Sequence, residues 1–238
     1  MSEAKRFIKS GILLTSVGLA MRTVAMFFGA FISRSVGAEG MGLYTVIMTV
    51  YSFAVTFATS GISLTVTRLV ASAIGEGKES DVGNILRGAF AFSFAFGLTA
   101  TLGMFFFADF IGGVVLTDGR TVSSLRILSL SLLPCALSSA LSGYFVGVKR
   151  IGFNAVTAVF CQICRITLTV LLVSRLSHNG IVSAVSGLCI GITLTEILGF
   201  LLTLLELIYD RCRHRVGGKR EIHIRQVCNT ALPLAFSA

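Results

Sequence analysis

Three charged side chains stand inside long apolar segments of this 238-residue chain, where charge is otherwise scarce: Arg22, Arg165 and Glu196. If each segment is a helix, the rise of 1.5 Å per residue brings all three within about one turn of the middle of a bilayer. A charge at that depth costs at least about 2.5–3.5 kcal/mol on insertion scales, so each should face the bundle interior, a partner or water. These residues are therefore the first candidates for a function.

The charge balance of the three residues indicates what they could bind. Two arginines and one glutamate leave one positive charge unmatched even if Glu196 pairs with an arginine. Arginine offers a planar fork of donors that suits a phosphate, so the sequence favours a cavity for an anionic substrate group. The alternative is that Glu196 pairs with an arginine only to hold two helices together. Gln162 precedes Arg165 by three positions on the same helical face, where it either lines the cavity or bonds a neighbouring helix.

The remaining reactive residue types form no catalytic or metal-binding pattern in the sequence. Cys161 and Cys164 have C-x-x-C spacing, but they lie in an apolar segment without a second pair or a nearby histidine. No serine, histidine and aspartate grouping, phosphate loop or carboxylate pair stands out. We therefore expect no enzymatic activity, no metal site and no cofactor.

The composition places these residues in a membrane protein. Hydrophobic residues make up 54% of the chain and charged residues 13%, and the mean hydropathy is +0.88. The net charge of +9 does not indicate nucleic acid, because the basic residues cluster between apolar segments, where membrane orientation explains them. Segments of about 20 apolar residues can cross a bilayer, and we assign six: 10–33, 42–66, 84–107, 123–147, 153–174 and 181–208.

The sequence therefore predicts an all-α integral membrane protein with three parts. Residues 1–208 form a six-helix transmembrane lobe, 209–226 a basic cytoplasmic loop, and 227–238 the truncated start of a seventh transmembrane helix. The second apolar run continues past Gly61 to Ile74, so we expect it to tilt, to bend near Gly61 or to protrude into water.

Two further patterns concern packing and orientation. The G-x-x-x-G patterns at Gly143 and Gly187 predict close packing between helices. Basic residues are concentrated at the N-terminus and in alternate loops, above all in 211–225. The positive-inside rule therefore predicts that the N-terminus and the 209–226 loop are cytoplasmic.

Several short motifs, in order, resemble those of one family. They are Gly37-Ala-Glu-Gly-Met-Gly-Leu-Tyr44, Gly61-Ile-Ser-Leu-Thr-Val-Thr-Arg68, Gly143-Tyr-Phe-Val-Gly147, Gln162-Ile-Cys-Arg165 and Ala231-Leu-Pro233. Their succession resembles the multidrug/oligosaccharidyl-lipid/polysaccharide exporter superfamily and, within it, the stage V sporulation protein B-like polysaccharide biosynthesis proteins.

The resemblance implies a fold, a function and a location. Members have two six-helix lobes around a central cleft, so the chain should be the N-terminal half, a fragment of a two-lobe transporter that lacks its C-terminal lobe. The implied function is alternating-access export of lipid-linked glycans in cell-envelope or spore-wall biogenesis, driven by a proton or Na⁺, in the bacterial cytoplasmic membrane among its lipids. Arg22 and Arg165 fall where related proteins carry arginines, and Glu196 would serve ion coupling or helix locking. The alternatives are a non-transporting membrane scaffold and a drug/cation antiporter.

Overall fold

The computed structural model describes residues 3–78, 81–116, 118–176 and 180–213, and nearly every residue in these ranges is helical. In chain order the helices are α1 Glu3–Thr59, α2 Ile62–Gly75, α3 Val82–Phe106, α4 Ala108–Phe110, α5 Thr121–Gly147, α6 Ile151–Leu176 and α7 Ile181–Arg213. A short π-helical segment, Ile111–Val115, follows α4. The predicted all-α membrane fold is confirmed.

The long helix α1 contains two of the predicted crossings. Its 57 residues would extend about 85 Å as one straight helix, far more than the roughly 30 Å of bilayer hydrocarbon. Gly37 interrupts the helix with φ 78° and ψ 175°, between the predicted spans 10–33 and 42–66. Within the described ranges, five helical stretches are long and apolar enough to cross a membrane. The first of them, Gly18–Gly75, covers most of the predicted span 10–33 and all of 42–66.

The same stretch bends a second time at Gly61, which separates α1 from α2. Gly61 adopts a left-handed conformation, with φ 67° and ψ −12°, which costs a residue with a Cβ atom roughly 1–2 kcal/mol. The bend that the sequence predicts near Gly61 is confirmed. It allows an apolar run that is too long for one crossing to change direction and pack along α5.

Helix α5 lies at the centre of the bundle and packs against α1, α2, α3 and α7, while α6 packs mainly against α7. Its buried side chains occur on all sides of the helix, with Leu125 and Leu132 on one side and Leu141 and Phe145 on the other. A helix that is apolar all round is expected to be surrounded by other helices. Four of the other helices thus pack around α5, and α6 joins the bundle mainly through α7.

Close contacts of α5 and α7 depend on the predicted glycines. A Cβ atom at Gly143 would lie 2.5 Å from the backbone oxygen of Ser63 in α2. At this contact Thr67 donates a hydrogen bond to the carbonyl oxygen of Gly143, at 3.0 Å. At Gly191 in α7, a Cβ atom would lie 2.8 Å from the hydroxyl oxygen of Thr169 in α6. The close packing predicted from both G-x-x-x-G patterns is confirmed.

The last helix extends beyond the boundary expected from the sequence. Helix α7 continues to Arg213, whereas the basic loop was expected from residue 209. The rest of that loop and the expected start of a seventh helix, 227–238, lie outside the described residues.

A turn between α5 and α6 holds a lysine in a conformation that favours glycine. Lys149 has φ 61°. Its backbone N–H donates a hydrogen bond to the carbonyl oxygen of Val146 at 3.0 Å, and the backbone N–H of Arg150 donates to the carbonyl oxygen of Phe145 at 2.9 Å. These bonds form a Schellman motif, in which glycine is usual at the left-handed position. The same bonds end α2, where Gly77 occupies that position with φ 72°.

We predict that Gly143→Ala lowers the free energy of unfolding by about 1–3 kcal/mol, because the added methyl group forces α5 away from α2. The matched control is Gly103→Ala in α3, where an added Cβ atom meets nothing within 4 Å; it should be neutral or slightly stabilising. Thermal unfolding of the detergent-purified protein measures both. Equal midpoints for the two variants would contradict the packing role of Gly143.

We predict that Lys149→Gly raises the free energy of unfolding by about 1 kcal/mol, because glycine removes the left-handed strain. Gly77→Ala, which introduces a Cβ atom at the equivalent position of the other turn, should lower it by a similar amount. The same unfolding measurement reports both signs, and destabilisation by Lys149→Gly would show that the lysine side chain outweighs the backbone strain.

Candidate functional site

The structure joins two of the predicted site residues in one ion pair. The guanidinium Nη2 of Arg165 in α6 donates to the carboxylate Oε1 of Glu196 in α7 at 2.7 Å. The Nε–H of Arg165 is buried and has no hydrogen-bond partner within the described ranges. The pair therefore uses only part of the hydrogen-bonding capacity of the arginine.

On α6, Arg165 points away from the surface that would contact lipid. Four exposed apolar side chains form a stripe along this helix: Val156, Phe160, Ile163 and Leu171. At 3.6 residues per turn, Arg165 lies about 160° around the helix from the centre of this stripe. It therefore lies on the side of α6 that faces the rest of the lobe.

Glu196 has the equivalent position on α7. The exposed apolar stripe of that helix consists of Leu194, Ile197, Leu201, Leu205 and Ile208, and Glu196 lies about 140° from its centre. The side chains of Arg165 and Glu196 are nevertheless 36% and 24% exposed. The pair thus lies on the inner side of both helices and is open to a space that the described helices do not fill.

Side chains from two other helices lie within electrostatic range of the pair. Tyr44 and Tyr51, both after the Gly37 kink in α1, interact with Arg165, and Tyr51 also interacts with Glu196. Cys135 in α5 interacts with both charged groups. The Tyr51 hydroxyl lies 2.8 Å from the Ser131 hydroxyl of α5 and is buried. The candidate site therefore lies where α1, α5, α6 and α7 meet.

The other two predicted site residues are not part of the pair. Gln162 is half-buried one turn before Arg165. Arg22 lies in the first part of α1 with an exposed side chain, and it is in none of the ion pairs found among the described residues. That Arg22 and Gln162 line one cavity with Arg165 stays a prediction.

Exposed apolar side chains lie on more than one side of the first part of α1. Val24, Phe27 and Phe31 are exposed, and Arg22 lies about 170° around the helix from their centre. Gly18, Gly29 and Ser33 share the side of Arg22, but Leu19 and Met26, which are 68% and 77% exposed, lie within about 60° of it. Arg22 thus has both small residues and exposed apolar side chains beside it.

A second buried charge cluster was not found from the sequence. Asp210 of α7 is 4% exposed and pairs with Arg150, and it accepts a hydrogen bond from the Tyr144 hydroxyl at 3.0 Å. One turn earlier, Glu206 accepts a hydrogen bond from Thr157 of α6. The i, i+4 spacing of the two carboxylates places both on one face of α7, a pattern that could have indicated a buried polar face.

Solved structures share this arrangement of helices. A MOP superfamily transporter from Pyrococcus furiosus aligns with a TM-score of 0.79 at 16% identity, over 94% of this chain and 50% of that one. An outward-facing multidrug resistance MATE family transporter of the MOP superfamily aligns with a TM-score of 0.79 at 15% identity, over 94% and 51%. The protein therefore has the fold of one half of a MOP superfamily transporter, a multi-pass membrane architecture.

The sequence comparisons identify the family. Residues 7–235 match the family of polysaccharide biosynthesis proteins, and the chain belongs to that family. Stage V sporulation protein B of Bacillus subtilis (strain 168) is 29% identical over 201 residues, which are 84% of this chain and 38% of that protein. The chain thus spans less than half the length of this relative, and the family expected from the motifs is confirmed.

We predict that Asp210→Asn lowers the free energy of unfolding by about 3–5 kcal/mol, because it leaves the partly buried Arg150 without its counter-charge. The control is Glu39→Gln, which breaks the Glu39 and Arg120 pair, whose side chains are 67% and 57% exposed; it should change stability by less than about 1 kcal/mol. Denaturant unfolding of both variants tests the contrast, and similar losses would contradict it.

Proposed function

We propose that the protein to which this chain belongs exports or flips a lipid-linked glycan with an anionic diphosphate group, by alternating access. The observation that carries the proposal is that Arg22 is exposed and in none of the ion pairs found among the described residues. It lies about 12 residues into the predicted crossing 10–33. An arginine at that depth needs water or an anion as its partner. Membership of the polysaccharide biosynthesis protein family supplies the glycan.

The site residues have different roles in this proposal. Arg22 provides a positive charge that no described acidic side chain neutralises. Arg165 provides a second guanidinium with an unused N–H, and Gln162 adds an amide one turn away. Two guanidinium groups suit a diphosphate, since each can donate two parallel hydrogen bonds to phosphate oxygens.

A drug/cation antiporter is the second candidate, because MATE transporters share the fold. In that case Glu196 would bind the cation. The geometry favours the anionic substrate, because the carboxylate of Glu196 already pairs with Arg165 at 2.7 Å and Arg22 would repel a cation. A membrane scaffold without transport is less well supported, since it has no use for charges at this depth.

The proposal also includes the surroundings of the site. The relatives are about twice as long as this chain or longer, so a second lobe would form the opposite wall of the cleft.

A proton or Na⁺ would drive transport, with Glu196 as a candidate for coupling. The protein would lie in the bacterial cytoplasmic membrane, with its N-terminus in the cytoplasm.

We predict that Arg22→Ala in the complete gene product reduces glycan export at least about tenfold, because one charge-assisted contact to phosphate contributes about 1.5–3 kcal/mol. The control is Arg34→Ala, which removes an exposed arginine just after the end of the predicted crossing 10–33. This variant should leave export unchanged. Cells that lack the chromosomal copy are complemented with each variant, and surface glycan and accumulated lipid-linked precursor are quantified. Wild-type export by Arg22→Ala, at equal amounts of protein in the membrane, would overturn the proposal.

A further inference from the structure

The Arg165 and Glu196 pair differs from a permanent structural ion pair of the same lobe. Asp210 is almost fully buried and has two partners, Arg150 and the Tyr144 hydroxyl. Glu196, in contrast, accepts one hydrogen bond from the residues that the structure describes, from the guanidinium of Arg165, and both side chains of this pair are partly exposed. The first arrangement holds helices together, whereas the second leaves a carboxylate that can be exchanged.

From this contrast we propose that Glu196 is a tethered competitor of the substrate. Its carboxylate occupies the anion-binding position of Arg165 in the present structure, and a phosphate-like dianion displaces it on binding. This inference rests on the proposed function and specifies how that site is regulated. It assigns to Glu196 the control of anion affinity rather than helix locking.

The geometry allows the exchange. A carboxylate oxygen and a phosphate oxygen accept the same N–H groups of a guanidinium, so both cannot have the best position at once. The side chain of Arg165 is partly exposed although its Nε–H is buried, so an anion that approaches from the open side competes with Glu196 for the terminal N–H groups of the guanidinium. Because Glu196 is partly exposed, its displaced carboxylate can reach water.

Within the described part of the chain, the other groups that interact with Glu196 do not provide a replacement cation. Tyr51 of α1, Cys135 of α5 and Cys161 of α6 interact with its carboxylate, and their side chains are uncharged in their ordinary forms near neutral pH. Arg165 is therefore the cation for which Glu196 and the anion compete. Such competition weakens substrate binding, and a transporter that must release its substrate benefits from weaker binding.

The experiment measures binding of sulfate, which stays a dianion throughout the neutral pH range. The complete gene product is purified in detergent and titrated with sulfate at pH 7 by calorimetry, at constant ionic strength. Glu196→Gln keeps the side-chain shape and removes the charge, so it should lower the Kd for sulfate at least about tenfold, equivalent to about 1.4 kcal/mol. The control is Glu206→Gln, on the same helix but bonded to the Thr157 hydroxyl, and it should leave the Kd unchanged.

Two further variants complete the test. Adding Arg165→Ala to Glu196→Gln should abolish the gain in affinity, and a gain that persists would show that sulfate binds elsewhere and overturn the proposal. An unchanged Kd in Glu196→Gln would overturn it too. If Glu196→Gln does not fold, Glu196→Asp takes its place, because its shorter side chain weakens the pair; a Kd like that of the wild type would then contradict the competition.

The sulfate measurement does not depend on transport. Tighter sulfate binding in Glu196→Gln together with wild-type export by Arg22→Ala would retain the competition and reject the proposed function. An unchanged sulfate Kd in Glu196→Gln together with lost export in Arg22→Ala would reject the competition and support the proposed function. The two proposals can therefore fail separately.

Discussion

A charge inside hydrocarbon has no water to solvate it, and this constraint accounts for the arrangement of polar groups in the lobe. The insertion cost of about 2.5–3.5 kcal/mol per charged side chain exceeds what a typical hydrogen bond returns. Each charge in a crossing segment must therefore find a counter-charge, reach water or bind a ligand. Asp210 and Glu196 have counter-charges, Arg150 and Arg165, and Glu196 is the more exposed of the two. Arg22 is exposed and in none of the ion pairs found among the described residues.

These arrangements imply different freedom to move. Asp210 joins the end of α7 to α5 and to the turn before α6 through Tyr144 and Arg150, so these elements are expected to move together. The glycine contacts between α5 and α2 add to this rigidity, because close backbone packing leaves little space for sliding. The Arg165 and Glu196 pair is more exposed than Asp210, so a change in its interactions is expected to disturb the packing of the bundle less.

The sequence predicted the features that follow from local physical chemistry. Apolar segment length located the crossings, and the length of the second run predicted the bend at Gly61. Gly61 adopts the left-handed conformation between α1 and α2. Residue spacing placed Gly143 and Gly191 at close helix contacts. Such features depend on a residue and its near neighbours along the chain, so one sequence is sufficient to find them.

Pairing between distant segments could not be predicted in the same way. Either arginine could have been the partner of Glu196, and only the packing of α6 on α7 selects Arg165 over Arg22. Asp210 appeared to begin a basic loop, because composition does not show that Arg150 and Tyr144 approach it from another part of the chain. Helix α7 continues to Arg213, and the pairing of Asp210 near its end involves residues from distant segments.

The exposure of α1 limits what can cover the other side of the site. Phe27 and Met26 are 75% and 77% exposed and would be stable against lipid or another apolar helix, but Arg22 between Gly18 and Gly29 would not. A second lobe that packed an apolar surface directly on Arg22 would bury an unpaired charge, and one that supplied a carboxylate would remove the positive charge that attracts an anion. Under the proposed function, the opposite wall is therefore expected to leave water or an anion beside Arg22.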